Sequence, residues 1–328
     1  MRVLGIESSC DETAIALCEN NEIVFSKVSN QIIHEKYGGV VPELASREHE
    51  KLLPTMLRDC LYQLNITFNE IDCIAVTQGP GLAGSLIAGV SFAKGLSLGS
   101  GIPIIGINHL EAHIYVNILS DPNLDFPFVC LLVSGGHTQL WLVKELGKYT
   151  LLGQTRDDAA GEAFDKGARI LGLGYPGGPE IEKTAKKGNS NLINFPRALM
   201  AKGNLEFSFS GLKTSLLYYC KENKKTNIND IAASYQKAII ETLVSKLKWA
   251  LEFTDCDSCV IAGGVAANLE LRKKISILLK DRKAIFPSLD LCTDNAAMIA
   301  FLGYQYFKNN KSSLINFSVF PNMEINQK

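Results

Sequence analysis

Apolar and polar positions alternate along the chain in a way that predicts two similar α/β halves. Short apolar strands are expected at Arg2–Ile6 and Thr13–Cys18, with a polar turn between them. A strand, a small-residue loop and a second strand occur again at Phe128–Val133, Ser134–His137 and Thr138–Val143. Because the second hairpin resembles the first, the pattern indicates a duplicated fold.

Helices are predicted between these strands and after them. Apolar positions recur at helical spacing over Glu43–Leu64, Asp157–Leu171, Ile231–Phe253 and Val265–Lys280. Further buried strands are expected at Ile71–Thr77, Ile104–Ile107 and Ser258–Ala262. Strands that alternate with helices are typical of α/β proteins with a mostly parallel sheet.

Two histidines follow the apolar strand Ile104–Ile107. His109 and His113 are four residues apart, so they would share one face of a helix at the carboxyl end of that strand, where α/β sheets place their ligands. Asp294 precedes another helical pattern, Ala296–Phe301, and we expect it to be exposed and ionised. Two imidazoles and one carboxylate would leave coordination positions open, which is typical of a working transition metal. A histidine pair without a metal is the alternative.

Glycine-containing turns follow two of the predicted strands. Ser134-Gly135-Gly136 could form an anion-binding nest of backbone N–H groups, although a simple tight turn is the alternative. The turn Gly263-Gly264 leads into a predicted helix that carries Asn268, and its positive end would suit a nucleotide. This turn lacks the G-x-G-x-x-G pattern, and the Walker A pattern is also absent, so it supports neither a Rossmann dehydrogenase nor a P-loop enzyme.

Small residues fall at every fourth position after the strand Ile71–Thr77. They are Gly81, Ser85, Gly89 and Ala93, and they would let another helix approach closely. We expect this stripe to face a paralogous partner or a second copy, with internal packing as the alternative.

Composition is that of a globular protein large enough for two lobes. The chain has 328 residues, of which 46% are hydrophobic and 20% charged. It contains no apolar run of membrane-helix length and no signal peptide. Nine scattered cysteines suit a reducing compartment, and the pair Cys256 and Cys259 is interpreted as structural. We therefore expect a cytoplasmic protein without a membrane association.

Charge is distributed unevenly between the two parts of the chain. Residues 1–125 hold 7 Lys and Arg against 15 Asp and Glu, a net charge of −8. Residues 126–328 hold 26 against 19, a net charge of +7, so the second part could contact a polyanion. Solvated surface lysine is the alternative. The densest basic clusters are Lys183, Lys186 and Lys187; Lys224 and Lys225; and Arg272, Lys273, Lys274, Lys280, Arg282 and Lys283.

Nine motifs, in order and over essentially the whole chain, resemble those of one known family. They are Gly5–Thr13, Gly38–Arg47, His109–His113, Leu132–Thr138, Gly161–Lys166, Tyr175–Pro179, Phe207–Thr214, Gly263–Asn268 and Cys292–Asn295. The family is that of the bacterial tRNA N6-adenosine threonylcarbamoyltransferases, TsaD, formerly described as glycoproteases. No ligand position departs from the family's pattern.

The resemblance implies an α/β fold like that of actin and the sugar kinases, with two duplicated lobes and an interlobe cleft. An acidic N-terminal lobe would comprise residues 1–125 and roughly 296–328. A basic C-terminal lobe, residues 126–295, would bind the adenylate. The implied enzyme is an acyltransferase that moves the threonylcarbamoyl group from threonylcarbamoyl-AMP to N6 of adenosine 37. Its substrates would be tRNAs reading codons that begin with A, and its products t6A and AMP.

The resemblance also implies a set of site residues and partners. The metal ligands would be His109, His113 and Asp294, holding one divalent transition metal per subunit, with Fe²⁺ preferred and Zn²⁺ as the alternative. A paralogous TsaB-like subunit and a TsaE-like ATPase would be partners, besides tRNA. Asp11 is the candidate for accepting the proton of the amine. The adenylate would be bound by Leu132, Val133, Ser134, Gly135, Gly136, Asp165, Gly178 and Asn268.

Three other functions stay open at this stage. A metalloprotease is disfavoured because Glu111, two residues after His109, would point about 200° around the helix from it, unlike the glutamate of the zincin motif. A small-molecule kinase could have the same fold, but such kinases usually bind Mg²⁺ through carboxylates rather than imidazoles. A non-catalytic scaffold is disfavoured because every ligand position is filled.

Overall fold

The structure is a computed structural model that describes residues 1–37, 39–280 and 282–326. Gly38, in one of the nine motifs, lies outside the described residues. The chain divides into two compact units. The first comprises Met1–Leu119 together with Thr293–Lys328, and the second comprises Ser120–Cys292. Asp294 therefore belongs to the same unit as the two histidines.

The first part of the chain contributes five strands and four helices. The strands are β1 (Arg2–Glu7), β2 (Glu12–Glu19), β3 (Glu22–Asn30), β4 (Cys73–Gly79) and β5 (Ile104–Asn108). The helices are α1 (Pro42–Leu64), α2 (Ala83–Ser100), α3 (His109–Tyr115) and the short α4 (Asn117–Ser120), with 3-10 turns at Ile32–Tyr37 and Phe68–Glu70.

Five more strands and six helices lie in the described part of the second unit. The strands are β6 (Phe128–Val133), β7 (Thr138–Glu145), β8 (Lys148–Gln154), β9 (Ser258–Ala262) and β10 (Lys283–Ile285). The helices are α5 (Ala160–Leu171), α6 (Gly177–Ala185), α7 (Ser210–Glu222), α8 (Ile228–Thr254), α9 (Leu269–Leu278) and α10 (Leu289–Cys292), with a 3-10 turn at Gly264–Ala267. The chain then returns to the first unit with α11 (Ala296–Lys308).

The two sheets have the same topology. The first has the order β3-β2-β1-β4-β5, in which β1, β2 and β3 pair antiparallel and β1, β4 and β5 pair parallel. The second has the order β8-β7-β6-β9-β10 with the same pattern of antiparallel and parallel pairs. The duplicated α/β fold expected from the paired hairpins is therefore confirmed.

Alternate residues of β1 explain how the first sheet is covered on both faces. Leu4 and Ile6 belong to an apolar cluster with residues of α1 and α2. Gly5, between them, faces α11 so closely that a Cβ atom there would lie 2.5 Å from the carbonyl oxygen of Ala296. Because successive strand residues point to opposite faces, a helical layer covers each side of the sheet. No helix in the described part of the chain is both long and apolar enough to cross a membrane.

The stripe of small residues is buried within the first unit, so the expectation that it faces a partner was wrong. Ser85 and Ala93 are fully buried. A Cβ atom at Gly89 would lie 2.1 Å from Ser8 Oγ, and one at Gly81 would lie 2.5 Å from the carbonyl oxygen of Ser9. The stripe lets α2 approach the loop after β1, which is internal packing.

Two predicted helices begin later than the sequence pattern indicated. The helix expected from Asp157 begins at Ala160, because the Asp157 carboxylate instead accepts hydrogen bonds from the start of α7. The helix expected over Val265–Lys280 is a 3-10 turn followed by α9. Asn268 is the N-cap of α9, and its side chain accepts a hydrogen bond from the backbone N–H of Leu271.

Candidate metal centre and substrate loops

The two histidines are positioned by a direct transition from strand to helix. Asn108 is the last residue of β5 and the N-cap of α3, and its Oδ1 accepts hydrogen bonds from the N–H groups of Leu110 and Glu111 at 3.0 and 3.1 Å. These bonds satisfy N–H groups that the first helical turn otherwise leaves free. The helix thus begins without a loop, and His109 and His113 are fixed to the end of a buried strand.

Asp294 lies against both imidazoles at the start of α11. Its Oδ1 is 3.0 Å from Nε2 of His113 and 3.3 Å from Nε2 of His109. One possible ligand atom from each of the three residues lies within 4.8 Å of the other two. The three residues predicted to bind a metal are therefore brought together. Asp294 is only 23% exposed, so the expectation of an exposed carboxylate was wrong.

Burial and the facing charges shift the pKa of each residue in this cluster. Burial alone would raise the pKa of Asp294, but the charge of His109 and hydrogen bonds from both rings lower that pKa far below its usual value. Burial opposes the charged form of His109, but Asp294 and Glu7 raise its pKa well above 6.5. Burial dominates at His113 and lowers its pKa. Asp294 is therefore ionised at neutral pH.

The donor set fits a transition metal. Two imidazole nitrogens and one carboxylate oxygen are ligands that iron and zinc share, and they leave coordination positions for a substrate. In both rings Nε2 is the nitrogen that faces Asp294. Nδ1 of His113 is buried and has no hydrogen-bond partner among the described residues.

Glu7, which sequence reasoning did not single out, lies behind His109. It is fully buried at the end of β1, and its Oε2 is 3.1 Å from Nδ1 of His109. Thr77 at the end of β4 donates to the same oxygen at 2.6 Å, and the N–H of Ser9 donates to Oε1 at 2.5 Å. The position of a carboxylate directly after an apolar strand was the one local signal.

Glu111 points away from the histidines, as the helical spacing predicted. Its Oε1 accepts a hydrogen bond of 2.5 Å from the hydroxyl of Tyr306 in α11. The carboxylate that a zincin would need as a base is thus engaged elsewhere in the first unit. The metalloprotease interpretation has no support from this geometry.

The turn between β1 and β2 holds further carboxyl groups. Burial, followed by the charges of Asp294 and Asp11, raises the pKa of Glu12 well above its usual value. Cys10 is half-buried in the same turn, and burial likewise raises the pKa of its thiol. The role of Asp11 as a proton acceptor stays a prediction.

The residues expected to bind the adenylate all lie in the second unit. Ser134–Gly136 follows β6, and Ser134 closes the turn because its N–H donates to the carbonyl of His137 at 2.8 Å. Space is open around the missing side chains of Gly135 and Gly136. Leu132 and Val133 are fully buried in β6, directly before this turn.

Hydrogen bonds and close contacts link this turn to the other predicted adenylate residues. The N–H of Gly161, in the first turn of α5, donates to the carbonyl of Ser134 at 3.1 Å. One turn further along α5, Oδ1 of Asp165 accepts the N–H of Gly177 at 2.7 Å, next to Gly178. The side chain of Asn268 donates to Oε1 of Gln236 at 3.0 Å. None of these hydrogen bonds joins Asn268 directly to the turn at Ser134–Gly136.

Comparison with known families gives one match over most of the chain. Residues 22–301 match the family TsaD, described as tRNA N6-adenosine threonylcarbamoyltransferase. Proteins of that name from Kosmotoga olearia and Thermosipho africanus are 50% and 51% identical. The alignments cover 99% of this chain in both cases, and 99% and 100% of the two relatives. The Clostridioides difficile protein of the same name is 48% identical over 99% of this chain and 98% of its own length.

Solved structures with low sequence identity share the fold. Full-length HypF in its phosphate- and nucleotide-bound form matches with a TM-score of 0.64 and 12% identity, over 95% of this chain and 47% of HypF. Component A of the Acidaminococcus fermentans (R)-2-hydroxyglutaryl-CoA dehydratase matches with a TM-score of 0.57 and 15% identity, over 95% of this chain and 100% of its own. The expected actin-like and sugar-kinase-like fold is confirmed.

Proposed function

Because the chain belongs to the TsaD family of tRNA N6-adenosine threonylcarbamoyltransferases, we propose that it moves a threonylcarbamoyl group from threonylcarbamoyl-AMP to N6 of adenosine 37. The acceptors are tRNAs that read codons beginning with A, and the products are t6A and AMP. The enzyme is an acyltransferase, as its relatives are named. The proposed role of a metal rests on the close approach of the possible ligand atoms of His109, His113 and Asp294 in the first unit.

The reaction is an acyl transfer to a weak nucleophile. The N6 lone pair is delocalised into the adenine ring, so the carbamoyl carbon must be made more electrophilic before the amine attacks. The new bond joins N6 to that carbon, the bond from carbon to the phosphate oxygen of AMP breaks, and N6 loses one proton. In this proposal Asp11 accepts the proton, and AMP leaves with the electron pair of the broken bond.

A divalent metal on the two imidazoles and the carboxylate would supply Lewis-acid chemistry for the donor. Fe²⁺ and Zn²⁺ both suit the donor set. The ionised state of Asp294 supports the proposal, because a carboxylate must be deprotonated to bind a metal. Asn108 supports it as well, because its cap holds both histidines on a helix that begins directly at a strand.

The donor's nucleotide is proposed to bind the loops of the second unit. Gly135 and Gly136, without side chains, offer backbone N–H groups to a phosphate, and the start of α5 lies directly beside them. The adenylate would be held by Leu132, Val133, Ser134, Gly135, Gly136, Asp165, Gly178 and Asn268. Such donors would stabilise the negative charge of AMP as it leaves.

The partners in this proposal are tRNA, a paralogous TsaB-like subunit and a TsaE-like ATPase. An anticodon loop presents an unpaired base, so little energy is needed to bring adenosine 37 out of its stack. We place the enzyme in the cytoplasm, because its substrate is a tRNA and because all nine cysteines are free thiols.

Reconstitution tests the activity directly. The chain is incubated with its partner subunits, threonine, bicarbonate, ATP, an adenylate-forming enzyme and tRNA, and the digested tRNA is analysed for t6A. We expect t6A to form, and to be absent when the chain or threonine is omitted. Phosphorylation of a small hydroxylated substrate by the chain alone with ATP, without t6A formation in the full mixture, would favour the kinase. Full activity of the partner mixture without this chain would favour a scaffold.

A further inference from the structure

We propose that Glu7 is a positioning residue that keeps a proton on Nδ1 of His109, so that Nε2 is the nitrogen that gives up its proton to bind the metal. The inference rests on the proposed function, because it assumes that His109 is a metal ligand. Glu7 is not one of the expected ligands, and it acts on the metal only through the ring of His109.

The hydrogen bonds around Glu7 determine that Nδ1 of His109 carries a proton. Its Oε1 accepts the N–H of Ser9, and its Oε2 accepts the hydroxyl of Thr77 and lies 3.1 Å from Nδ1 of His109. An ionised carboxylate can only accept, so Nδ1 must carry a proton. Nε2 then points to the other side of the ring, where it lies 3.3 Å from Oδ1 of Asp294.

Complete burial means that the Glu7 carboxylate must keep its hydrogen-bond partners. Glu7 has no exposed surface, and a buried charge of this kind is retained only when it is paired and hydrogen-bonded. Its partners come from the loop after β1, from the end of β4 and from the start of α3. The carboxylate therefore ties His109 to two strands of the sheet, which fixes the ring as well as its tautomer.

His113 has no equivalent support. Its Nδ1 is buried without a hydrogen-bond partner in the described part of the chain, whereas Nδ1 of His109 has a carboxylate behind it. The two expected ligands thus differ in the hydrogen bonding of their Nδ1 atoms. His109 is the one whose orientation is set before metal binds.

Replacing Glu7 by Gln should reverse the tautomer of His109. Gln has one acceptor oxygen and one NH₂ group, and the backbone N–H of Ser9 would retain the oxygen because a main-chain donor cannot change its role. The NH₂ group would then face Nδ1 of His109 and favour a Nδ1 without a proton, to which the hydroxyl of Ser9, 3.3 Å away, can also donate. The proton would move to Nε2, the nitrogen that the metal needs.

Metal affinity of the full-length chain provides the first test. Metal-free wild type, Glu7→Gln, His109→Ala and Glu111→Gln are titrated with Zn²⁺ in competition with a chelating dye, and with Co²⁺ for its visible spectrum. Glu111 is a matched control because it is a buried glutamate on the same helix as the histidines, bonded to Tyr306 rather than to a ligand. We expect Glu7→Gln to weaken Zn²⁺ binding about 10- to 100-fold and to alter the Co²⁺ spectrum. Glu111→Gln should do neither.

Wild-type protein provides the second test, which does not depend on the folding of a Glu7 variant. Zinc-loaded protein with ¹⁵N-labelled histidine should show a hydrogen-bonded Nδ1–H of His109 far downfield, assigned by its loss in His109→Ala. A zinc-bound Nδ1 with the proton on Nε2 would overturn the role of Glu7. So would a folded Glu7→Gln protein that binds zinc as tightly as wild type. If wild-type zinc binding does not depend on His109, the proposed metal centre itself fails, and the inference fails with it.

Discussion

Gly89 of α2 lies so close to Ser8 that the Oγ of Ser8 occupies the place of a side chain at position 89. A Cβ atom on Gly89 would be 2.1 Å from this oxygen, which donates to the carbonyl of Ser85 one turn earlier in α2 at 3.0 Å. The serine thus bonds to the helix backbone through a gap that only glycine leaves open. Ser8 lies between Glu7 and Ser9, so this contact holds α2 against the loop beside the candidate metal centre.

Gly89→Ala should therefore destabilise the first unit by about 1–3 kcal/mol, because the methyl group would displace Ser8 or the helix. Gly95→Ala is the matched control on the same helix, since nothing lies within 4 Å of its missing Cβ. Alanine there should stabilise the protein by about 0.5–1 kcal/mol, because glycine inside a helix is unfavourable. Urea unfolding of both variants measures the difference. Equal shifts in the two variants would contradict the close contact.

Removing either histidine should abolish metal binding and transfer while the chain stays folded. His109→Ala or His113→Ala leaves two of the three ligands, which is too few to retain a divalent metal at micromolar concentration. Metal content after dialysis and t6A formation on tRNA are the measurements, with circular dichroism as the check on folding. Glu111→Gln should retain metal and activity. Stoichiometric metal and full activity in His109→Ala would show that the ligand set is wrong.

Protonation of Asp157 should make the second unit less stable in acid. Burial would raise its pKa, but the hydroxyls of Ser208 and Ser210 and the N–H groups of Phe209 and Ser210 lower it below its usual value. A carboxylate whose pKa is lowered on folding stabilises the protein above its unfolded pKa of about 3.9, and that contribution is lost as the pH falls through the folded pKa.

Asp157→Asn should consequently cost about 1 kcal/mol at pH 7 and little below pH 3. Urea midpoints measured across this range test the prediction. Asp257→Asn, at another exposed carboxylate of the same unit, is the control for the loss of one negative charge. A constant difference between Asp157→Asn and wild type at every pH would contradict the role of ionised Asp157.

Contacts of the basic residues narrow the search for a tRNA surface. The guanidinium of Arg272 donates to the carbonyls of Ala266 and Pro287, and Lys283 pairs with Asp121 at 2.5 Å, so both are engaged within their own unit. Lys183 is exposed and pairs only loosely, at 3.7 Å, with Glu180. Together with the exposed Lys186 and Lys187 it forms a cluster suited to phosphate contacts.

Reversal of Lys183, Lys186 and Lys187 to Glu should weaken tRNA binding and reduce its dependence on salt. Each lost phosphate contact should lower the slope of log affinity against log salt by about 0.9. A charge-matched control reverses Lys27, Lys51 and Lys308, which are dispersed over the first unit. Affinity is measured at two salt concentrations in the assembled complex. If the control variant loses affinity and the cluster variant does not, the second unit is not the main tRNA surface.

Central strands, long helices and the buried edge strand β5 could be predicted from the sequence, whereas the more exposed edge strands β3 and β8 could not. The hairpin of β1 and β2 has apolar residues on both faces, because both strands are covered by helices. The edge strands β3 and β8 were not predicted. Each is at the end of its sheet and leaves apolar residues such as Val28 and Leu151 exposed, so neither shows a clear apolar pattern.

The ligands of the candidate site were predictable, but the residues that support them were not. His109 and His113 are recognisable because their spacing of four is local. The environment of Glu7 depends on Thr77 and His109, which are 70 and 102 residues away. The small-residue stripe was misinterpreted for the same reason, because spacing shows that a helix can be approached closely but not what approaches it.

The insertion of the second unit between Leu119 and Thr293 determines the order in which the parts of the first unit are synthesised. His109 and His113 leave the ribosome before the second unit, whereas Asp294 and α11 leave it afterwards. Until α11 arrives, the face of β1 that contains Gly5 lacks the helix that packs against it. The inserted unit can therefore fold while the unit that surrounds it is still incomplete. A metal that needs all three expected ligands would accordingly bind only after the second unit has been translated.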